Sequence, residues 1–377
     1  MNQRAVQLMP RTQARKVDDR FAMTPGPNEN VHPVTKITTI VERLVSEGVS
    51  ATEALAGVNL SPTQLNSPAA RVSVNQVLQS YDNAIRLSRD PHFAYNTGLK
   101  FHVSTYGMYG FALLSCPNFR DTMTFAVKYH GIAAPLVEIA FKEEGGAGIW
   151  TIVPMPYPRV DSRLYRFIVE LQMAIHLSLH RDVMGASFRP SELHFTFPRP
   201  RPEDEGAPTF DCPALYEQPE NRLVFDAHWL DGRPNLGNAV TYAELCQLCD
   251  RLTNELQLGA GIAGRIRSMI LTNLLRRVNF ASIAEQLKMS PRSLRRRLQE
   301  EGTSFRELVD EVRAQLAIKY VRDTSLSIED VTYTLGFNDA SAFRHAFRRW
   351  TGAAPYEYRR AKTNMHSRLS ERPDGWV

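Results

Sequence analysis

The chain is poor in cysteine: Cys116, Cys212, Cys246 and Cys249 are the whole supply in 377 residues. So few exclude a disulfide-built scaffold and fit a reducing cytoplasm. Long apolar runs are also missing. No stretch approaches the roughly eighteen consecutive apolar residues that a bilayer crossing needs, so no membrane span is expected. The first thirty residues are polar and basic, without the apolar core of a secretory signal. Catalytic signatures are lacking too. There is no GxSxG, P-loop, HExxH or kinase pattern, so the expectation is a protein that is not an enzyme and needs no cofactor.

Three short patterns imitate chemistry. Gly259-Ala-Gly261-Ile-Ala-Gly264 matches GxGxxG, but a dinucleotide site needs a strand before it and a helix after it. Helical sequence stands on both sides, so a hinge between two domains is the better reading. Cys246-Gln-Leu-Cys249 is a CxxC without a second pair. It lies in a helical run, Tyr242 to Leu258, on a stripe with Leu245, Leu252 and Leu256, where packing explains it. The same stripe is a candidate dimer helix, with an intradomain packing face as the equal alternative. His176 and His180, four apart, could share a metal, but no third ligand lies near them.

What is present is concentrated near the C-terminus. Ile283, Ala284 and Leu287 lead to a turn at Met289-Ser290, followed by Leu294 and Leu298 on one helical face. Ser290 is placed to cap that second helix, with Pro291 at its first position. Arg292, Ser293, Arg295, Arg296 and Gln299 fall on or beside its outer face. The pattern then recurs. Ile328, Val331 and Leu335 precede Gly336-Phe337, Asn338 or Asp339 can cap, and Phe343 and Phe347 form the next buried pair. Ser341, Arg344, His345, Arg348 and Arg349 project outward. Between the copies, Phe305 to Asp323 has a helical stripe of Val309, Val312, Leu316 and Tyr320. At about 1.5 Å per residue it spans roughly 27 Å. That length is of the order of one B-DNA turn, about 34 Å, so the two outer faces can address successive major grooves.

Charge follows the same division. Residues 259–364 contain 19 Lys/Arg and 11 Asp/Glu, in a chain of net charge +5. The remainder is therefore net acidic, and the positive charge sits where a nucleic-acid partner needs it.

The C-terminal hundred residues resemble the DNA-binding domain of AraC/XylS-type transcription regulators. Ala284, Leu287, Ser290, Leu294, Arg296, Gly302, Phe305, Arg313 and Ala317 carry the likeness in the first copy and the connecting helix. Leu335-Gly336-Phe337, Phe343, Phe347, Gly352 and Pro355 carry it in the second. Thr332 stands where the family usually has Ala, and Leu298 where it usually has Phe. The preceding region resembles the arabinose-binding-like sensing domain of a subgroup of the family. Its markers are Arg71-Val-Ser, Tyr106-Gly-Met-Tyr-Gly, Cys212-Pro, Asn221-Arg-Leu-Val-Phe-Asp and Leu230-Asp-Gly-Arg-Pro-Asn-Leu.

The resemblance implies an α+β N-terminal sensing domain followed by an all-α domain with two helix–turn–helix motifs joined by a linker helix. Residues 1–32 are expected to be a flexible arm, 33–258 the sensing and dimerisation domain, 259–362 the DNA-binding domain and 363–377 a tail. Double-stranded DNA is the implied partner. Arg292, Arg295 and Arg296 would enter one major groove, Ser341, Arg344 and His345 the next, and Arg348 and Arg349 would hold phosphates. A small-molecule effector, RNA polymerase and a second copy of the chain are the other partners such an activator has. Two alternatives remain open: a regulator controlled without ligand, by abundance or a partner protein, and an enzyme with its pocket in residues 35–235.

Overall fold

A computed structural model describes residues 26–133, 136–199, 210–259, 261–272 and 279–359. The N-terminal half opens with α1, Thr35–Ser46, which turns Ile37, Ile40, Val41 and Leu44 inward. A short α2, Ala51–Ala54, is capped by Ser50. Next comes α3, Val74–Leu87, held by a capping box in which Ser73 and Gln76 exchange backbone and side-chain bonds. Then follow α4, Phe93–Gly98, α5, Gly107–Ser115, and α6, Phe119–Ala133. The glycine-rich stretch after Tyr106 is thus a helix; it buries Tyr109, Ala112 and Leu113 on one face, while Met108 and Phe111 on the other are apolar but exposed.

Two strands, β3 (Val137–Glu144) and β4 (Ala147–Pro154), form the hairpin that the alternating pattern foretells. Its two turn residues, Gly145 and Gly146, have φ of 60° and 77°. That left-handed pair matches the twist of the strands and suits glycine. With β5 (Glu192–His194), β6 (Ala214–Leu215) and β7 (Arg222–Asp226) they build a five-stranded sheet in the order β3-β4-β7-β5-β6. All its pairings are antiparallel except β5 with β6.

The long helix α7, Ser162–Met184, lies between this sheet and the α3–α4 layer. It is buried nearly all round, from Leu164 to Val183, and is the core helix of the domain. Asp161 starts it by accepting from the backbone N–H groups of Arg163 and Leu164.

The segment before α1 departs from the expectation of a flexible arm. His32 and Pro33 form a short strand, β1, paired with Arg71-Val72 of β2, and His32 is buried. Residues 26–31 lead into it along the domain boundary, where Glu29 pairs with Arg267. Apolar neighbours and that ion pair fix a stretch whose polarity suggested solvent. Residues 1–25 and the tail 363–377 lie outside the described residues.

Helix α8, Ala239–Gly259, leads to α9, Gly261–Thr272. Gly259 therefore ends one helix, Gly261 starts the next with φ 59°, and Gly264 lies inside it. No strand precedes them, which removes the dinucleotide reading. The leucine–cysteine stripe of α8 turns inward. Leu245 and Cys249 are buried where α8 packs on α5 and α6, and Leu252 is half-buried, so this stripe is an intradomain face rather than a dimer seam. Leu256 lies outside the described side chains.

The C-terminal domain consists of α10 (Phe280–Gln286), α11 (Pro291–Glu300), α12 (Phe305–Asp323), α13 (Ile328–Thr334) and α14 (Ala340–Thr351). Helix α9 packs on α12. Both carboxylate oxygens of Glu301 accept from the first turn of α9, at the N–H groups of Ile262 and Ala263. Arg267 is almost fully buried at the boundary, between Glu29 at 2.5 Å and Glu311 of α12 at 3.1 Å. Arg322 donates to the Pro154 carbonyl at the end of β4.

Candidate nucleic-acid interface and the cavity of the N-terminal domain

Each helix–turn–helix copy is organised by its turn. In the first, the Met289 N–H donates to the Ala284 carbonyl at 2.9 Å; in the second, Phe337 donates to Thr332 at 3.1 Å. These are the same six-residue closure, made where a helix ends in a left-handed residue. That residue is Lys288 in one copy and Gly336 in the other, with φ of 53° and 71°. The next helices start on Ser290 and Asp339, whose side chains accept from the N–H groups of Ser293 and Ala342. Ile283, Ala284, Leu294 and Leu298 close the first core. Val331, Leu335, Phe343 and Phe347 close the second, and the Phe337 ring wedges against Phe343 and Trp350. Thr332, where the family usually has Ala, is buried, and its hydroxyl donates to the Ile328 carbonyl at 2.7 Å.

All nine residues singled out for DNA contact lie on α11 or α14. Arg292, Arg295 and Arg296 are exposed on α11, joined by Arg297. Arg295 rests over the Phe280 ring, and Arg296 lies 3.4 Å from Glu300 one turn on. Ser293 is half-buried, its hydroxyl accepting from that of Ser290. On α14, Ser341, Arg344, His345, Arg348 and Arg349 are exposed. Arg344 reaches Glu329 at 3.7 Å and Arg349 reaches Asp310 at 3.0 Å. Arg292, Arg297 and Arg348 meet no carboxylate among the described residues. Arginine on an exposed helix can bond guanine bidentately or hold phosphate.

A second feature went unseen in the sequence. A cavity with about 510 Å³ of free space, its mouth included, lies among α5, α6, α7 and the β3–β4 hairpin. Its wall includes Tyr106, Tyr109, Leu113, Phe119, Met123, Ile139, Trp150, Gln172, His176 and His180.

The two histidines are part of this wall and of the core. The His180 Nδ1–H donates to the His176 carbonyl, and its Nε2 accepts from the Trp150 indole N–H at 3.0 Å. The His176 Nδ1–H donates to the Gln172 carbonyl at 2.9 Å. Burial holds both rings neutral, lowering His176 to about 4 and His180 to about 3. With both its nitrogens engaged, His180 has no lone pair left for a metal. Burial also raises the Cys249 thiol, to about 11, and Cys246 stands half-buried beside it. Among the described residues no group of three or more metal-capable side chains forms, and no helix is long and apolar enough to cross a membrane.

Two family models match the chain. Residues 48–234 match the model described as the arabinose-binding domain of AraC transcription regulator, N-terminal. Residues 283–361 match a helix-turn-helix domain model. The chain is 30% identical over 330 residues to the ornithine utilization regulator of Pseudomonas aeruginosa, covering 87% of this chain and 96% of that protein. It is 29% identical over 343 residues to an uncharacterised helix-turn-helix-type transcriptional regulator of Mycobacterium tuberculosis, covering 89% and 98%. The crystal structure of the transcriptional regulator CdpR from Pseudomonas aeruginosa aligns with 88% of this chain and 100% of that one, at 22% identity and a TM-score of 0.47.

Proposed function

The chain belongs to the AraC family of DNA-binding transcription regulators, which are not enzymes, and on that premise we propose how it reads DNA and what controls it. Helix α11 enters one major groove with Arg292, Arg295 and Arg296. Helix α14 enters the next with Ser341, Arg344 and His345, while Arg348 and Arg349 hold phosphates. One observation carries this reading: two capped helices, each with an exposed basic face, stand on either side of the long helix α12 in the chain, one in each helix–turn–helix copy. The two faces differ in sequence, so the site read is asymmetric.

The test is a duplex site selected from a random library, followed by single-base substitutions. Arg295→Ala and Arg344→Ala should each relax preference at one segment, the two segments lying about 10 base pairs apart. Equal weakening on every sequence, or relaxation of the same base pairs by both variants, would count against the assignment.

A small molecule in the cavity controls this activity. The cavity supports the reading because it is enclosed by the matched N-terminal domain and lined by aromatic and apolar side chains with a few polar groups among them. Its ligand shifts the regulator only by binding one state better than the other.

A further inference from the structure

Near the cavity the N-terminal domain buries a lysine that none of the described residues neutralises. Lys36 of α1 is only 7% exposed, yet among the described residues it has no hydrogen-bond or ion-pair partner; its ammonium stands over the Phe101 ring, 6.0 Å from the ring centre. Four other polar atoms around this part of the core are buried and unpartnered: the hydroxyls of Tyr81, Thr97 and Tyr106, and Nε2 of His32. They are connected. Phe101 packs on Tyr106 with ring centres 6.3 Å apart, Tyr106 and Tyr81 influence one another electrostatically, and the Lys36 charge is felt by both His32 and His176. A buried ammonium without a counter-charge is costly, and so is each buried polar group without a partner. A group of them in one place calls for an occupant that supplies acceptors.

Tyr106 and His176 also belong to the cavity wall. The polar group therefore borders the apolar chamber, as a head-group site borders a body site. No aspartate or glutamate is among the residues that line the cavity.

We propose that the effector is a small carboxylic acid with an apolar or aromatic body. Its carboxylate pairs with Lys36 and accepts from the Tyr81 and Tyr106 hydroxyls, and its body lies among Tyr109, Phe119 and Trp150. The inference rests on the reading of the cavity as the effector site and deepens it by naming the ligand class. Burial lowers Lys36 to about 8, which still leaves it mainly charged near neutral pH, ready for an anion. A diamine or amino-acid ammonium would find no carboxylate partner on this wall.

The experiment uses the full chain in thermal-shift and calorimetric titrations. The probes are 3-phenylpropionate and octanoate, their two amides, and L-ornithine, against wild type, Lys36→Met and Tyr106→Phe. The expected result is that an acid raises the melting temperature of wild type progressively, while the matching amide does not. Lys36→Met should weaken the acid about tenfold or more, as loss of a charge-assisted contact does. Without ligand, Lys36→Met should melt no lower than wild type, because it removes an unpaired buried charge; a purely structural lysine would give the opposite. Tyr106→Phe should weaken the acid less than Lys36→Met does. Amides or ornithine that bind as tightly as the acids, with equal affinity for Lys36→Met, would overturn the carboxylate assignment and leave the effector cavity standing. Absence of binding by every probe would overturn the carboxylate assignment and count against the effector reading as well.

Discussion

The two helix–turn–helix copies solve one geometric problem with different side chains. Both close the first helix with the same backbone bond and cap the second with a side-chain oxygen. The first copy packs aliphatic residues, Leu294 and Leu298, and puts a lysine in the left-handed turn. The second packs the rings of Phe343, Phe347 and Phe337 and puts Gly336 there. Their charges differ as well. Among the described residues only Arg296 of α11 has a carboxylate near it, from its own helix, whereas Arg344 and Arg349 of α14 are held by Glu329 and Asp310 of neighbouring helices. The lesson is that the motif is defined by backbone closure, while stability and free positive charge are distributed unequally. The first copy has more unpaired basic side chains, and the second has the larger packed core.

The largest test of this contrast is in the cores. Phe343→Ala should destabilise its copy by about 3–5 kcal/mol and Leu294→Ala by about 2–5, with the aromatic site the more costly. Hydrogen exchange of α13 and α14 amides against those of α10 and α11 reads the two separately. Equal loss of protection in both copies after either change would show one cooperative unit rather than two cores.

Next in size is base reading. Arg295→Ala should cost roughly 1–3 kcal/mol on the selected site and relax specificity there. Arg344→Ala should cost less, since Arg344 must first leave Glu329. A greater loss from Arg344→Ala would reverse the assignment of the stronger reading helix.

The turns give a smaller effect of opposite sign in the two copies. Gly336→Ala forces a Cβ into a left-handed conformation and should destabilise by about 1–2 kcal/mol. Lys288→Gly should relieve the same strain, offset by the added freedom of the unfolded chain, for a gain below about 1 kcal/mol. Thermal unfolding of the two variants decides it; a fall in melting temperature for Lys288→Gly would mean the lysine makes a contact that outweighs its strain.

The smallest effect concerns phosphates. Asp310→Ala frees Arg349, so DNA binding should gain a few tenths of a kcal/mol, and the slope of log K against log salt should steepen by about 0.9. Arg349→Ala should shallow that slope and weaken all sequences alike. An unchanged slope in both variants would remove Arg349 from the phosphate contacts.

Much of the C-terminal domain was legible because its rules are local. Ser290, Ser304 and Asp339 cap the helices they precede, and Phe305–Asp323 is the helix its stripe foretells, since a cap and a stripe act within three or four residues. The N-terminal domain was legible only in part. Its hairpin showed through alternation, but the cavity wall joins Tyr106, Trp150 and His176 from three separate stretches. The histidine pair stood out by its spacing and suggested a metal; what its nitrogens meet is set by Trp150 of β4 and by the preceding turns of α7.

The sequence by itself determined the family, the two-domain order, the double helix–turn–helix and the concentration of positive charge near the C-terminus. Periodicity, capping and charge counts are properties of short stretches, so they survive without coordinates. Tertiary structure alone decided that residues 26–32 are packed, that the α8 stripe faces inward, and that Lys36 is buried. Lys36 lies one turn before Ile40 on the apolar stripe of α1, a position that reads equally well as the edge of a solvated face. Its burial comes from the packing of distant elements around α1. A lysine's environment is set by what surrounds it in space, which no spacing along one helix encodes.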